Sequence, residues 1–282
     1  APDDPRLLVE YDELHRLTGT SPEKRLALLE AHKHNIGKRD DLTIRYASLL
    51  TSTGSPEEAY QRIRNHQFTP WEGGEGLVPR EYRRAVIRTA LKYMQSDPVR
   101  ALSYLMNAVD YPQQLGEGKL PNTPDNEIKF WIGKAYQTMG KDTEAAEYFH
   151  AATKGERTPS LSLYYNDVPA RAILYQGLAW KALGEYDEAA NCFQNLLNYG
   201  SDHINDRIDP DYFAVSYPDF IAFHYDLSTK NHVFCKNIIG FAHLGNGARE
   251  EARRELQDVL SVDPNDIDAL DHLHIIEEIQ PF

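Results

Sequence analysis

The sequence predicts an all-α fold, a right-handed superhelical solenoid of about six helical hairpins with long loops between them. Three observations predict it. Small and aromatic residues recur in a common pattern, apolar residues within each copy follow helical spacing, and the extra residues fall at equivalent places between copies. In such a stack each hairpin buries its apolar face only against its neighbours.

The three clearest copies are predicted near 126–153, 170–198 and 233–262. Each has a glycine midway along its first helix and another at the turn: Gly133 and Gly140, Gly177 and Gly184, Gly240 and Gly247. A mid-helix glycine costs about 1 kcal/mol relative to alanine, so we expect it to allow close approach of the second helix. That helix supplies an alanine expected to oppose the glycine (Ala145, Ala189, Ala252) and a large residue expected to fill the space between hairpins (Phe149, Phe193, Leu256).

Three weaker copies precede these, near 6–37, 40–67 and 82–109, with Arg25, Ala59 and Ala101 in the alanine position. The six marker positions are 34, 42, 44, 44 and 63 residues apart, and 34 is the length of a bare unit. The residues in excess of this length predict insertions between one unit and the next, at 68–81, 111–127, 155–167 and 199–231. Apolar spacing also predicts a helix over 4–17 and a capping helix over 265–279, which we expect to cover the exposed end of the stack.

Two insertions contain the same element, Gly-Glu-Gly-x-x-Pro, starting at Gly74 and at Gly116. The spacing matches the distance between two consecutive units, so we expect the two elements in the same structural place. A phosphate loop is excluded because the lysine-containing order is missing and the glutamates would repel an anion. Two interpretations stay open: the carboxylates accept backbone N–H groups at the next helix start, or Trp71, Glu72 and Glu75 contact a ligand.

Composition restricts the class of partner. The formal net charge of −13 argues against a nucleic-acid or anionic-membrane surface, and no apolar run approaches the roughly 20 residues that span a bilayer. The N-terminus has no signal-like order and no starting Met, so a signal or an upstream domain could have been removed. We expect a cytoplasmic protein, or a periplasmic one if a signal was removed.

Chemistry-bearing motifs are missing from the sequence. His32 with His34 and His272 with His274 occupy alternate helical positions that do not share a face, and the aspartates of 202–211 lack the EF-hand spacing. The two cysteines, Cys192 and Cys235, are expected as buried thiols or as one bond between neighbouring helices. We expect no metal, no cofactor and no enzyme activity. The aromatic residues of 199–231 are expected to pack over the solenoid.

The order of glycine, tyrosine, alanine, phenylalanine and proline in these copies resembles the tetratricopeptide repeat. The resemblance implies that first helices line a concave groove, and the candidate groove residues are Tyr93, Lys134, Gln137, Arg171, Lys181 and Asn237. Basic groups there would meet an acidic peptide or chain terminus, or they would pair with acids of the chain itself. The basic residues and asparagines that form a carboxylate clamp are not all present.

The stretches 66–82 and 111–140 also resemble the C-terminal repeat region of large bacterial proteins in which a domain of unknown function precedes tetratricopeptide repeats. That resemblance implies an upstream domain and a loose link to carbohydrate metabolism. We expect a non-catalytic scaffold that binds a protein, a peptide or its own upstream domain. The alternative is a glycan or small-ligand module in which Trp71, Tyr111, Tyr164 and Tyr165 stack on the ligand and Glu72, Glu75 and Glu117 bind its hydroxyls.

Overall fold

The computed structural model describes residues 4–160, 168–208 and 226–278, and within these ranges the chain is helical and contains no strand. In chain order, the helices of the N-terminal half are α1 Pro5–Leu17, α2 Pro22–Glu30, α3 Asp40–Ser52, α4 Pro56–Arg64, α5 Leu77–Tyr93, α6 Pro98–Asn107 and α7 Asn126–Thr138. The remaining helices are α8 Asp142–Ala152, α9 Arg171–Ala182, α10 Tyr186–His203, α11 Leu227–Gly245, α12 Arg249–Val262 and α13 Ile267–Glu278. Short 3-10 helices span Lys33–Lys38 and Gln113–Leu115.

The helices pack as successive hairpins in an α-solenoid. α3 packs on α4, α5 on α6, α7 on α8, α9 on α10 and α11 on α12, and each hairpin also packs on the next one. The turns between the later pairs are tight because Gly140, Gly184 and Gly247 adopt φ angles of 71°, 83° and 81°, which an L side chain rarely adopts. One continuous apolar core runs through the stack, as expected where repeats bury surface only against neighbours.

The mid-helix glycines are explained by a different contact from the expected one. A Cβ added at Gly133 would lie 2.6 Å from the Phe149 ring, and one at Gly177 would lie 2.3 Å from the Phe193 ring. The nearest atoms thus belong to the large residue of the second helix and not to the alanine that was expected to oppose the glycine. Phe193 also lies against Gly245 of the next hairpin, where an added Cβ would be 2.2 Å away. One ring therefore connects two hairpins through two glycines.

Helix boundaries differ from the predicted units at three places. α5 begins at Leu77, inside the predicted insertion 68–81, because Gly76 with φ 74° turns the chain directly into the helix. α10 continues to His203 and α11 begins at Leu227, so helix extends into both ends of the predicted insertion 199–231. The central part of that insertion, and Tyr164 and Tyr165, lie outside the described residues. Cys192 and Cys235 are both buried and free, so they are two thiols and do not form a disulfide bond.

The C-terminal helix α13 does not simply cover the end of the stack, as we had expected of a cap. It packs on α12 and then reaches α3, and its side chains contact α5 and α9. The turn before it contacts the first hairpin: Asn265 accepts a hydrogen bond from Arg25 at 2.8 Å and donates one to the carbonyl of Thr20 at 3.0 Å. The solenoid curves until its two ends meet, and α13 lies in the groove that this curvature encloses.

Candidate binding site

The two Gly-Glu-Gly elements lie side by side on one face of the molecule. The Phe68 N–H donates to the Gln114 carbonyl at 2.9 Å, and the Gly76 N–H donates to the Glu117 carboxylate at 2.8 Å. A Cβ on Gly116 would lie 2.6 Å from the Phe68 carbonyl oxygen, so only glycine permits this approach of the two segments. We call segments 65–76 and 108–125 together the loop face. Backbone and carboxylate contacts hold its two segments in register.

Trp71 covers its own loop and borders an open space. The indole is half-buried and lies directly over Gly74, where an added Cβ would be 2.1 Å from the ring. Beside it is a cavity of about 310 Å³ lined by Trp71, Glu72, Glu75 and Glu117 together with Pro70 and Gly74. Glu72 and Glu75 are exposed. The residues named from the sequence therefore do come together, next to Glu117.

Glu117, the glutamate of the second element, connects the loop face to the start of α5. Its carboxylate accepts the N–H at the start of α5, which is the structural role. It also lines the cavity beside Trp71. Burial raises the pKa of Glu117 above its ordinary value, and the nearby Glu75 adds to the rise, while the Gly76 N–H opposes it.

A second cavity of about 330 Å³ lies between the loop face, α5, α9 and α13. The guanidinium groups that line this cavity come from consecutive turns of α5 and from α9. They are those of Arg80, Arg83, Arg84, Arg88 and Arg171. Its carboxylates are Glu75, Glu117, Glu127, Asp268 and Asp271, and apolar atoms come from residues such as Ile87, Tyr111 and Ile275. The cavity wall thus contains hydrogen-bond donors, hydrogen-bond acceptors and apolar surface.

The helix α13 is held in the groove by charge pairs. Arg84 binds Asp271 at 2.6 Å and Arg171 binds Asp268 at 2.9 Å, and Arg88 lies 4.0 Å from Asp271. Burial opposes the charge of Arg84, but its acidic neighbours Asp271 and Glu81 raise the pKa of its guanidinium well above the ordinary value.

His272 is the central buried group of α13, with 1% of its surface exposed. Its Nδ1 lies 2.7 Å from the Asp268 carbonyl oxygen, and its ring lies 4.5 Å from the Phe241 ring and 3.5 Å, by Nε2, from the Tyr175 hydroxyl. Nδ1 thus contacts the carbonyl one helical turn earlier, and Nε2 contacts the groove wall. The nearby His274 contacts the carbonyl of Ser52 at 3.4 Å, so the two histidines serve packing of the same helix.

The predicted groove residues divide by location. Arg171 and Asn237 contact the C-terminal segment, since the Asn237 amide donates to Asp266 at 3.0 Å. Lys181 donates to the Gly245 carbonyl at 3.3 Å. Tyr93 lies outside this set, because its hydroxyl donates to Glu57 at 3.0 Å and the guanidinium of Arg100 stacks 3.8 Å from its ring centre.

Lys134 and Gln137 form a separate pair on α7. The Lys134 ammonium donates to the Gln137 amide oxygen at 3.0 Å. Burial lowers the pKa of Lys134 below its ordinary value.

Sequence reasoning missed the arginine row of α5 and the acidic face of α13. A signal was present: Arg80, Arg84 and Arg88 recur every fourth residue along α5, and Asp268 and Asp271 are one turn apart. Nothing in the sequence joins these rows, because they are separated by more than 170 residues. Only the curvature of the stack brings them together.

Two classes of feature are not found within the described residues. No three His, Cys, Asp or Glu side chains in residues 4–160, 168–208 and 226–278 converge as metal ligands would. None of the helices described there has the length and apolar character needed to cross a bilayer.

Stacked helical hairpins with tight glycine turns and a concave face define an α-solenoid of the helical-repeat class, a fold that is generally non-catalytic. Tetratricopeptide-repeat family models match residues 127–154 and 171–199. These segments are the α7–α8 and α9–α10 hairpins. The chain therefore contains tetratricopeptide repeats.

Two solved structures are among those similar to this chain. One is the C-terminal part of a TPR repeat-containing protein from Cytophaga hutchinsonii, with 13% identity, 94% of this chain and 99% of that chain covered, and a TM-score of 0.24. The other is the TPR domain of P58(IPK), with 16% identity, 99% of this chain and 80% of that chain covered, and a TM-score of 0.25. At such identities and TM-scores neither structure informs the function of this chain.

Proposed function

We propose that the protein is a non-catalytic interaction scaffold that binds a protein or peptide through its loop face and its concave groove. Tetratricopeptide repeats generally mediate protein–protein interaction. The observation that carries the proposal here is the groove itself, which already holds an amphipathic helix, α13, through Arg84–Asp271 and Arg171–Asp268. A wall that binds one helix in this way has the chemistry of a helix-in-groove recognition site.

The loop face supplies the second binding surface. Its segments are linked by the Phe68–Gln114 backbone hydrogen bond and by the bond from the Gly76 N–H to the Glu117 carboxylate. Its shape is therefore largely formed before a partner arrives, which lowers the entropic cost of binding. Trp71 offers a half-buried aromatic surface, and exposed Leu120 lies on the companion segment. Aromatic residues beside polar groups are enriched at protein interfaces.

The test is affinity capture with three forms of the chain: wild type, Trp71→Ala, and Tyr186→Ala as control. Tyr186 is an exposed aromatic residue, 68% accessible, at the start of α10 and away from the loop face. We expect a defined set of proteins that Trp71→Ala loses and Tyr186→Ala retains. If all three forms retain the same set, the loop face has no role in binding, and circular dichroism of each form verifies that folding is unaffected.

A glycan or small-ligand module is the second candidate, favoured by the two cavities of about 310 and 330 Å³ that share Glu75 and Glu117. Pockets of this volume suit small ligands. The melting temperature of the protein would be measured with a panel of neutral mono- and oligosaccharides. An increase in the wild type that Trp71→Ala lacks supports the ligand function, and no increase with any sugar counts against it.

A further inference from the structure

We propose that the cavity beside Trp71 is a pocket for an arginine side chain of a protein partner. The inference rests on the proposed scaffold function and names the chemistry that the loop face recognises. Two independent features of the cavity carry it: an aromatic wall that is held in a fixed position, and carboxylates that have no basic neighbour in the described ranges of the chain.

The indole of Trp71 is fixed on its own loop. The Gly74 N–H donates to the Trp71 carbonyl at 3.1 Å, and this turn brings Gly74 under the ring, where an added Cβ would lie 2.1 Å from the nearest ring atom. The indole nevertheless stays partly exposed and lines the cavity. The face of an indole attracts a cation electrostatically, and more strongly than a tyrosine or phenylalanine ring does. The aromatic wall therefore favours a cationic ligand.

The charged groups of the same cavity are acidic. Its described lining consists of Pro70, Trp71, Glu72, Gly74, Glu75 and Glu117. Within residues 4–160, 168–208 and 226–278, none of the three carboxylates forms an ion pair. Asp125 of the loop face differs, because Lys119 lies 2.7 Å and Arg83 lies 3.3 Å from its carboxylate. The cavity thus holds negative charge that a cationic group of a partner can neutralise.

The environment of Glu117 shows that this charge is costly to the folded chain. Burial raises the pKa of Glu117, and the negative charge of Glu75 adds to the rise, whereas the Gly76 N–H opposes it. A cation in the cavity would act in the same direction as the Gly76 N–H, because an opposite charge favours the ionised form of a carboxyl group. Binding of a cation therefore relieves the repulsion between Glu75 and Glu117.

An aromatic ring beside carboxylates suits arginine better than lysine. The guanidinium group is planar, so it can stack on an aromatic ring and bind a carboxylate through two parallel N–H donors. It is also more weakly hydrated than an ammonium group, so its transfer from water into the cavity is less costly. An acidic side chain is excluded, because it would place a like charge beside the three carboxylates.

The test is an NMR titration of the ¹⁵N-labelled full chain with short peptides that differ in one side chain: acetyl-Gly-Arg-Gly-amide, its lysine analogue and its citrulline analogue. Citrulline resembles arginine in shape but carries no charge. The signals followed are the indole N–H of Trp71 and the backbone N–H of Gly76, which donates to Glu117. The arginine peptide should shift both signals to saturation, with an affinity about tenfold or more above that of the citrulline peptide and also above that of the lysine peptide.

Variants assign the binding to the two features. Trp71→Leu keeps an apolar side chain without an aromatic face and should lower the affinity for the arginine peptide by about three- to tenfold, whereas Trp71→Phe should retain most of it. Glu75→Gln should lower it by about twofold or more. The control is Glu185→Gln, which removes an exposed glutamate at the start of α10 and should leave the affinity unchanged. Circular dichroism verifies folding, and Glu75→Gln, at an exposed position, decides the question if Trp71→Leu does not fold.

The proposal is overturned if the arginine peptide gives no saturable shift, or if the citrulline or lysine peptide binds as tightly. Folded Trp71→Leu and Glu75→Gln proteins that retain the wild-type affinity would also overturn it. Choline is the comparison for a free organic cation, and tighter binding of choline than of the arginine peptide would contradict the assignment to a side chain of a partner. None of these titrations needs a natural partner, so their failure is distinct from a failure of the scaffold function, which affinity capture tests.

Discussion

Arg84 and Asp271, 187 positions apart in the sequence, form a bidentate ion pair: Nε donates to Oδ2 at 2.6 Å and Nη2 to Oδ1 at 3.0 Å. The pair joins the third hairpin to the C-terminal helix across the groove. Two parallel hydrogen bonds between guanidinium and carboxylate fix orientation as well as distance. The position of α13 therefore depends on residues from the first half of the chain.

We predict that Asp271→Ala lowers the free energy of unfolding by about 1–3 kcal/mol, because it removes charge-assisted hydrogen bonds from a buried arginine. Urea denaturation measures the change. The control is Asp258→Ala, which removes an exposed carboxylate 3.2 Å from Lys236 and should cost no more than about 0.5 kcal/mol. Equal effects of the two substitutions would mean that the groove pair contributes no more than a surface pair.

Gly177→Ala should destabilise the protein by about 1–3 kcal/mol, although alanine favours a helix, because the new methyl group would overlap the Phe193 ring. Thermal unfolding measures it. Gly118→Ala is the control, since an added Cβ there meets open space. In a Phe193→Leu background the cost of Gly177→Ala should shrink, and an unchanged cost would disprove the ring contact as the cause.

Stability should decrease as the pH rises towards neutrality, in part through Asp266. Burial, and then the neighbouring Asp268, raise the pKa of Asp266 to about 7, while Asn237 and the Ala269 N–H oppose the rise. The folded state therefore holds this proton more tightly than the unfolded state does. Its stabilising effect is complete below the unfolded pKa near 4 and is lost as the pH rises through about 7.

Asp266→Asn tests this directly, because asparagine retains the helix-capping oxygen without the charge. Melting temperatures are compared between pH 5 and pH 8. We expect the melting temperature of the variant to increase relative to that of the wild type as the pH rises. The same pH dependence in both proteins would contradict the assignment to Asp266.

Closure of the solenoid predicts communication between its ends. Asn265→Ala removes the hydrogen bonds to Arg25 and Thr20, so amides of α1 and α2 should lose protection in hydrogen exchange although they lie more than 230 residues away in sequence. Asn198→Ala is the control, because Asn198 makes a local contact with Gln194 on the same helix. Unchanged protection of α1 and α2 in Asn265→Ala would show that the ends stabilise themselves independently.

Part of the candidate site could be predicted from the spacing of the repeats alone. The equal spacing of the two Gly-Glu-Gly elements and of the consecutive markers predicted that they share one structural place, and the Gly76–Glu117 hydrogen bond at 2.8 Å agrees with this. The groove was less predictable. Arg171 and Asn237 were expected to meet a partner or local acids, and each meets an aspartate of the C-terminal segment.

The sequence by itself determined the helices, most of their turns and their all-α solenoid class, because propensity, glycine turns and apolar spacing act within a few residues and recur along the chain. The tertiary structure alone decided that Phe149 and Phe193 cover the mid-helix glycines, that Asn265 joins the two ends, and that α13 fills the groove. These features depend on packing angles that add up over the successive hairpins. A small rotation at each interface fixes where distant residues meet, and no local pattern encodes that sum.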